Sequence, residues 1–260
     1  MIGFIGGGNM AEALIKGIAA KHGKDIIVSE PLDNRRDYLE KTYRVKTTSH
    51  NKDVLKNSTV IILAVKPQNM DEVTAEISDM TDDKIIVSIA AGIPLSYLSS
   101  RLKTPKIIRV MPNTPALIQE GMSVMSMCEC IHDKDLGIIK EIFMSVGTLL
   151  MLPEKYMNAV TALSGSGPGF FAYFIEALIE GGIKTGLDQA DARTLAIQTM
   201  LGTARLLDTG MDPAKLREMV TSPGGTTAAG LKVFQEQGFT EAVIASLEAA
   251  TNRAKELGGE

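Results

Sequence analysis

Cysteine is almost missing from this 260-residue chain: Cys128 and Cys130 are too few for a disulfide framework. Such usage is expected of a reducing, cytoplasmic setting. Cys128-x-Cys130-x-His132 sets only three soft ligands on one short stretch. That is too few for a structural metal, so these read as strand-end residues and no metal is expected. Histidine is equally scarce, with His22, His50 and His132 alone and none in a motif-like setting. No Ser/His/Asp arrangement or paired carboxylates stand out either. No segment is long and apolar enough to span a bilayer. The opening residues 1–5 lack the basic region, apolar core and cleavage site of a leader, and read as a first strand. With 27 basic against 31 acidic residues, a net charge of −4 and no basic stripe, neither nucleic acid nor an anionic membrane is an expected partner.

What is present falls into two parts. Short β-branched runs at 1–5, 25–29, 60–65, 84–89 and 106–110 alternate with helical patterns. In the first of those helices Ala11, Leu14, Ile15 and Ile18 share one face. Strand–helix–strand alternation predicts an α/β fold, a doubly wound parallel sheet covered on both faces. Runs at 122–127 and 148–152 read as further strands flanking a helix around 134–146. After residue 155 the pattern turns wholly helical: 168–186, 189–209, 213–221, 227–238 and 241–257. We therefore expect a dinucleotide-binding domain over 1–155 and an all-helical domain over 156–260. The run 170–183 is apolar almost all round, Glu176 and Glu180 excepted. It reads as a helix buried against a second subunit, the alternative being the central helix of a monomer.

Gly6-Gly7-Gly8-Asn9-Met10-Ala11 fits G-x-G-x-x-A after a strand and at the opening of a helix. Gly6 allows the tight turn, Gly8 lets a pyrophosphate approach backbone N–H groups, and Ala11 lets the helix pack on the sheet. Glu30, at the end of the second strand, can accept from an adenosine ribose and repel a 2′-phosphate, favouring NADH. Asn34, Arg35 and Arg36 can instead hold that phosphate, or form a solvated first helix turn. NADPH and NADH both stay open. Two more strand ends face the expected crevice: Ala64-Val65-Lys66-Pro67, with a lysine aimed inward, and Ala90-Ala91-Gly92, small enough for a flat ring.

An alcohol dehydrogenase needs a strong acid–base group, usually His, and only Lys66 is an obvious ionisable candidate near the cofactor. Reduction of a C=N bond makes no such demand, since an iminium can bind already protonated and leave positioning to the enzyme. Hydroxyl-rich loops then suffice, and there are two: residues 161–168 and 221–227. In the second, Ser222 can cap, Pro223 fixes φ, and Gly224 and Gly225 allow close backbone approach. Thr226 and Thr227 then gather hydroxyls and free N–H groups at a helix start that attracts a carboxylate.

Taken with Arg109-Val110-Met111-Pro112-Asn113-Thr114-Pro115, Ser164-Gly165-Ser166-Gly167-Pro168 and Ser222-Pro223-Gly224-Gly225-Thr226-Thr227, these motifs resemble pyrroline-5-carboxylate reductase from end to end. The resemblance implies NAD(P)H-dependent reduction of 1-pyrroline-5-carboxylate, the last step of proline biosynthesis. It also implies a Rossmann domain followed by a helical domain that interlocks in a homodimer, often built into a decamer. The glycine-rich turn, Asn51, Ala64–Pro67 and Ala90–Gly92 match cofactor contacts of the family. The loop from Val220 to Thr227 matches its carboxylate site, with Ser222 and Thr227 at contact positions. Thr161 and Ser166 match hydroxyls near the imine nitrogen. Gly169 departs from the alanine common in relatives. Two other readings are a 3-hydroxyacid dehydrogenase, whose lysine would have to be Lys184, and a non-enzymatic cofactor sensor on the same fold.

Overall fold

The β-branched runs of the first part each become a short strand because their residues can be buried on both faces. In the computed structural model, which describes residues 1–22, 25–128 and 131–259, these are β1 (Ile2–Ile5), β2 (Ile26–Ser29), β3 (Lys46–Thr48), β4 (Val60–Leu63), β5 (Ile85–Ser88), β6 (Ile107–Met111), β7 (Gly121–Met127) and β8 (Gly147–Met151). They form one sheet in the order β3-β2-β1-β4-β5-β6-β7-β8. Alternate side chains feed two cores. Phe4, Val28, Ile62, Val87 and Ile108 pack with α1 (Asn9–His22), through Ala11, Leu14, Ile15 and Ile18. Ile5, Ile27, Ile61, Leu63 and Ile86 form the other core. Across it, α2 (Asp33–Tyr43) aside, lie α3 (Asn51–Asn57), α4 (Met70–Ile77) and α5 (Leu95–Arg101), contributing Val54, Leu55, Met70, Ile77 and Leu98.

Three details differ from the sequence reading. The strand expected over 60–65 ends at Leu63, because the chain turns through Pro67–Asn69, a single 3₁₀ turn opened by proline. β3, built from Lys46, Thr47 and Thr48, carries no apolar run and was not expected; it is an edge strand. The sheet is parallel except at β6 and β7, which run antiparallel. Only the 3₁₀ turn Thr114–Ile118 joins them, too short for the crossover a parallel pair requires.

After α6 (Asp133–Met144), which packs Ile139, Ile142 and Phe143 into the first core, β8 closes the sheet in parallel with β7. The chain then passes through α7 (Met157–Val160) and a π turn, Thr161–Gly165. No strand follows β8 among the described residues.

The chain divides into two compact units, Met1–Ser166 together with the chain from Ala249 onward, and Gly167–Glu248. Within the second, α8 (Gly167–Lys184) packs on α9 (Gln189–Asp208) where Gly182 meets Ala192. Asp188 caps α9 by accepting from the Asp191 N–H. Asp212 caps α10 (Pro213–Met219), accepting from Ala214 and Lys215 N–H, with Pro213 in the first turn. Phe174 on α8 meets Phe234 of α11 (Thr226–Glu236) and Phe239 of α12 (Phe239–Gly258) with centroids 6.3 and 6.0 Å away, and those two rings stack on each other at 5.0 Å. Phe171 and Tyr173 on α8 are 62% and 76% exposed in the single chain, so this helix is not the buried centre of a monomer.

Gly169, in the first turn of α8, has nothing within 4 Å of where a Cβ would sit. Gly169→Ala should therefore raise stability by about 0.5–1 kcal/mol through helix propensity alone, read as a higher denaturant midpoint at unchanged slope.

Candidate functional site

The glycine-rich turn is set by backbone geometry. Gly6 has φ +97°, open only to glycine, and a Cβ there would lie 2.6 Å from the Ala64 carbonyl oxygen. Gly8, by contrast, has nothing within 4 Å of its Cβ direction, so space opens where α1 presents its first N–H groups. Asn9, Met10 and Ala11 form that first turn, and Ala11 is buried on the sheet. Open space in front of a helix N-terminus suits a pyrophosphate, so the residues fit a dinucleotide.

Glu30, buried at the end of β2, spends its carboxylate on the backbone: Oε2 accepts from Gly7 N–H at 2.9 Å and Oε1 from Leu32 N–H at 3.1 Å. Neither arginine beside it is merely solvated. Arg35 Nε donates to the Gly7 carbonyl at 2.6 Å, and its Nη2 pairs with Glu12 at 2.6 Å. Arg36 donates to the carbonyls of Glu30 and Pro31 and pairs with Asp33. Asn34 is exposed on the same turn of α2. Glu12 was not singled out in the sequence, yet it also accepts from Tyr38 and Tyr43. Burial would raise its carboxyl, but the bonds from Tyr43, Arg35 and Tyr38 outweigh this and hold it below its ordinary value. Burial, then the bond to Glu12, push the Tyr43 phenol up. A carboxyl one turn into a Gly-rich helix, with an arginine about twenty residues on, was the available signal.

The other residues expected to meet the nucleotide lie in the same unit. Asn51 opens α3 and takes a 2.6 Å bond from the Ser29 hydroxyl. Ala64, Val65 and Pro67 are half-buried after β4, while Lys66 is exposed. After β5, Ala90 donates to the Ser88 hydroxyl at 3.3 Å, and buried Gly92 packs against Leu257 of α12. Thr161 opens the π turn, and its hydroxyl donates to the Met157 carbonyl at 2.8 Å, leaving lone pairs to accept. Ser166 N–H closes that turn onto the Thr161 carbonyl at 2.9 Å. Wide π turns of this kind are frequent at functional sites.

The polar loop of the second unit is a β-turn followed by a helix start. Gly225 N–H donates to the Ser222 carbonyl at 3.0 Å, with Pro223 next and Gly224 at φ +72°, a type II pattern. Ser222 therefore does not cap: it begins the turn, and Gly225 is the N-cap of α11 with no side chain bonding the first N–H groups. Val220 ends α10, and the Thr221 hydroxyl bonds back to the Arg217 carbonyl. Ser222 and Thr226 are exposed and Thr227 half-buried, with two hydroxyls and uncapped N–H groups beside them.

Cys128 donates to the Pro105 carbonyl at 2.7 Å; Cys130 lies outside the described residues. Among the described residues no group of three or more His, Cys, Asp or Glu could hold a metal. No described helix is long and apolar enough to cross a membrane.

Two family models match: one described as pyrroline-5-carboxylate reductase dimerisation over residues 154–257, and one as NADP oxidoreductase, coenzyme F420-dependent, over residues 1–92. A Synechocystis pyrroline-5-carboxylate reductase is 43% identical over 99% of this chain and 98% of its own length. A solved pyrroline-5-carboxylate reductase from Coxiella burnetii superposes with a TM-score of 0.91 at 35% identity, covering 98% of this chain and 97% of that one. The Plasmodium falciparum pyrroline carboxylate reductase, solved with NADP bound, gives 0.89 at 31% identity over 99% and 97%. A likeness of this strength along nearly the whole length means that the chain belongs to the pyrroline-5-carboxylate reductase family.

Proposed function

We propose that this protein reduces 1-pyrroline-5-carboxylate to L-proline, the closing step of proline biosynthesis, with NADPH as the preferred donor over NADH. When bound, the nicotinamide supplies the hydride that reaches the imine carbon. The chain's own residues bind, orient and protonate. Gly6, Gly7, Gly8, Asn9, Met10 and Ala11 cradle the pyrophosphate, while Ala64–Pro67 and Ala90–Gly92 flank the rest of the cofactor. Glu30, Asn34, Arg35 and Asn51 shape the ribose end. With Glu30 already bonded to Gly7 and Leu32 N–H and Arg35 lying beside the turn, a 2′-phosphate meets a balanced rather than a purely acidic surface.

The observation that carries the substrate is the uncapped start of α11 behind the Ser222–Gly225 turn. Its N–H groups and the Ser222 and Thr227 hydroxyls receive the carboxylate, with Val220, Gly224, Gly225 and Thr226 shaping the approach. Thr161 and Ser166 serve the imine nitrogen. Lys184 is paired with Glu180 at 2.5 Å on an exposed face, which speaks against the hydroxyacid dehydrogenase reading. The first unit, which takes in residues 156–166 and the chain from Ala249 beyond the expected 1–155, serves the cofactor, and Gly167–Glu248 serves the substrate carboxylate and the subunit contact, in a cytoplasmic homodimer that extends to a decamer.

NAD(P)H oxidation on addition of 1-pyrroline-5-carboxylate tests the activity directly, and comparing the two donors tests the preference. Thr227→Ala should lower kcat/KM about tenfold, by raising KM and slowing turnover. Ser166→Ala should cost less, because water can replace a weak donor. Unaltered kinetics in Thr227→Ala would remove the loop from the site.

A further inference from the structure

The segment Arg109–Pro115 has so far been given no role, although its asparagine makes an unusual set of bonds. Asn113 stands just before the 3₁₀ turn Thr114–Ile118, in extended backbone at φ −125° and ψ 166°. An asparagine there normally caps its own turn. This one makes no such bond. Its Oδ1 accepts from Met122 N–H on β7 at 2.8 Å. Its Nδ2 donates to the Ser164 carbonyl at 3.3 Å and lies 3.4 Å from the Ser164 hydroxyl. The orientation of the amide is forced, because Met122 N–H can only donate and the Ser164 carbonyl can only accept.

Ser164 belongs to the π turn Thr161–Gly165. Its neighbour Gly165 is held from the same segment: Met111 Cε lies 2.4 Å from where a Cβ on Gly165 would be. Two side chains about fifty residues back thus grip the two residues that immediately precede Ser166. A π turn is a rare winding that persists only where its surroundings over-determine it.

We propose that Asn113 is a positioning residue for the reduction: it holds the π turn so that Thr161 and Ser166 present their hydroxyls to the imine nitrogen. This rests on the roles given to those two hydroxyls above. Asn113→Asp keeps an acceptor for Met122 N–H but sets a carboxylate oxygen against the Ser164 carbonyl, so the bond to the π-turn backbone is lost, leaving at most the Ser164 hydroxyl as a donor, while the β7 contact survives. Turnover should fall about tenfold, since small misplacements of reacting groups are costly. The dissociation constant for NADPH should stay within about twofold, because no cofactor segment is touched. With NADPH deuterated at the transferred position, the isotope effect on kcat should rise as hydride transfer becomes slower relative to release. In a double-mutant cycle, Asn113→Asp and Ser166→Ala together should cost less than the product of their separate effects.

Wild-type turnover in Asn113→Asp, with Thr161→Ala and Ser166→Ala both impaired, would overturn this inference alone. So would a multiplicative cycle, or a loss of NADPH affinity matching the loss of turnover, either of which would mark a general scaffold. Wild-type turnover in both hydroxyl variants would instead sink the hydroxyl roles, and this inference with them.

Discussion

Gly6→Ala is expected to weaken NADPH binding about a hundredfold and to lower the melting temperature as well. A side chain at φ +97° is strained in itself, by about 1–3 kcal/mol. Its Cβ would also stand 2.6 Å from the Ala64 oxygen, 2.9 Å from the Ala64 carbonyl carbon and 3.2 Å from Val65 Cγ1. The first two are backbone atoms, so relief requires the turn or the strand end after β4 to move. Both segments belong to the proposed cofactor cradle, so strain and loss of affinity arise together. A hundredfold corresponds to about 2.7 kcal/mol, within the reach of that displacement. Gly8→Ala supplies the contrast. Nothing stands near its Cβ direction, so stability should hold while the methyl group fills the space a pyrophosphate needs. Fluorescence titration with NADPH and thermal unfolding of both variants check this. Equal melting losses in the two would contradict the assignment.

The second large effect is one of stability. Glu154→Ala should cost about 3–5 kcal/mol, because removing one partner of a buried pair strands the other. Arg109 lies in β6 with only 4% of its side chain exposed, and its Nη1 bonds Glu154 Oε1 at 2.7 Å. The same carboxylate oxygen accepts from Leu95 N–H at 3.1 Å, serving the first turn of α5. Arg109 Nη2 finds no partner among the described protein atoms, so without Glu154 the guanidinium would be uncompensated. The reverse deletion is milder. In Arg109→Met the Glu154 carboxylate keeps its bond from Leu95 N–H, on a side chain 31% exposed although its Oε2 is buried, while the new side chain fills the strand position. In a chain of this size the Glu154→Ala loss amounts to about 10 °C in melting temperature. Calorimetry of the two variants decides, and a larger loss for Arg109→Met would overturn the argument.

The parts of the fold that could be read from sequence are those fixed by neighbours in the chain. Apolar β-branched runs such as Ile61–Leu63 and the G-x-G-x-x-A turn carry their geometry locally, as do Pro223-Gly224 in the α11 loop. Residues fixed by distant partners were not legible. Lys46-Thr47-Thr48 forms a strand only because β2 lies beside it. The π turn has no signature of its own, its winding being imposed by Met111 and Asn113. Ser222 looked like a cap from its place before a helix, but Pro223 and Gly224 commit it to the preceding turn. A lone charge inside the apolar run Ile107-Ile108-Arg109-Val110 was the one hint of the Arg109–Glu154 pair, and its partner lies 45 positions away. Among the site residues, the cradle was visible because glycine marks special backbone, whereas the occupation of Glu30 by Gly7 and Leu32 depends on side-chain rotamer.

The return of α12 to the first unit has a consequence for biosynthesis. Gly92 is covered by Leu257, and Gly258 approaches the Gly92 carbonyl to 3.0 Å from its own Cβ direction. Domains commonly fold as they emerge from the ribosome, amino-terminal end first. Here the first unit is not finished in that order, because its Ala90–Gly92 loop waits for Leu257 and Gly258, which follow the whole second unit in the chain. A nascent chain stalled before Ala249 would hold a folded sheet whose Ala90–Gly92 loop is still uncovered.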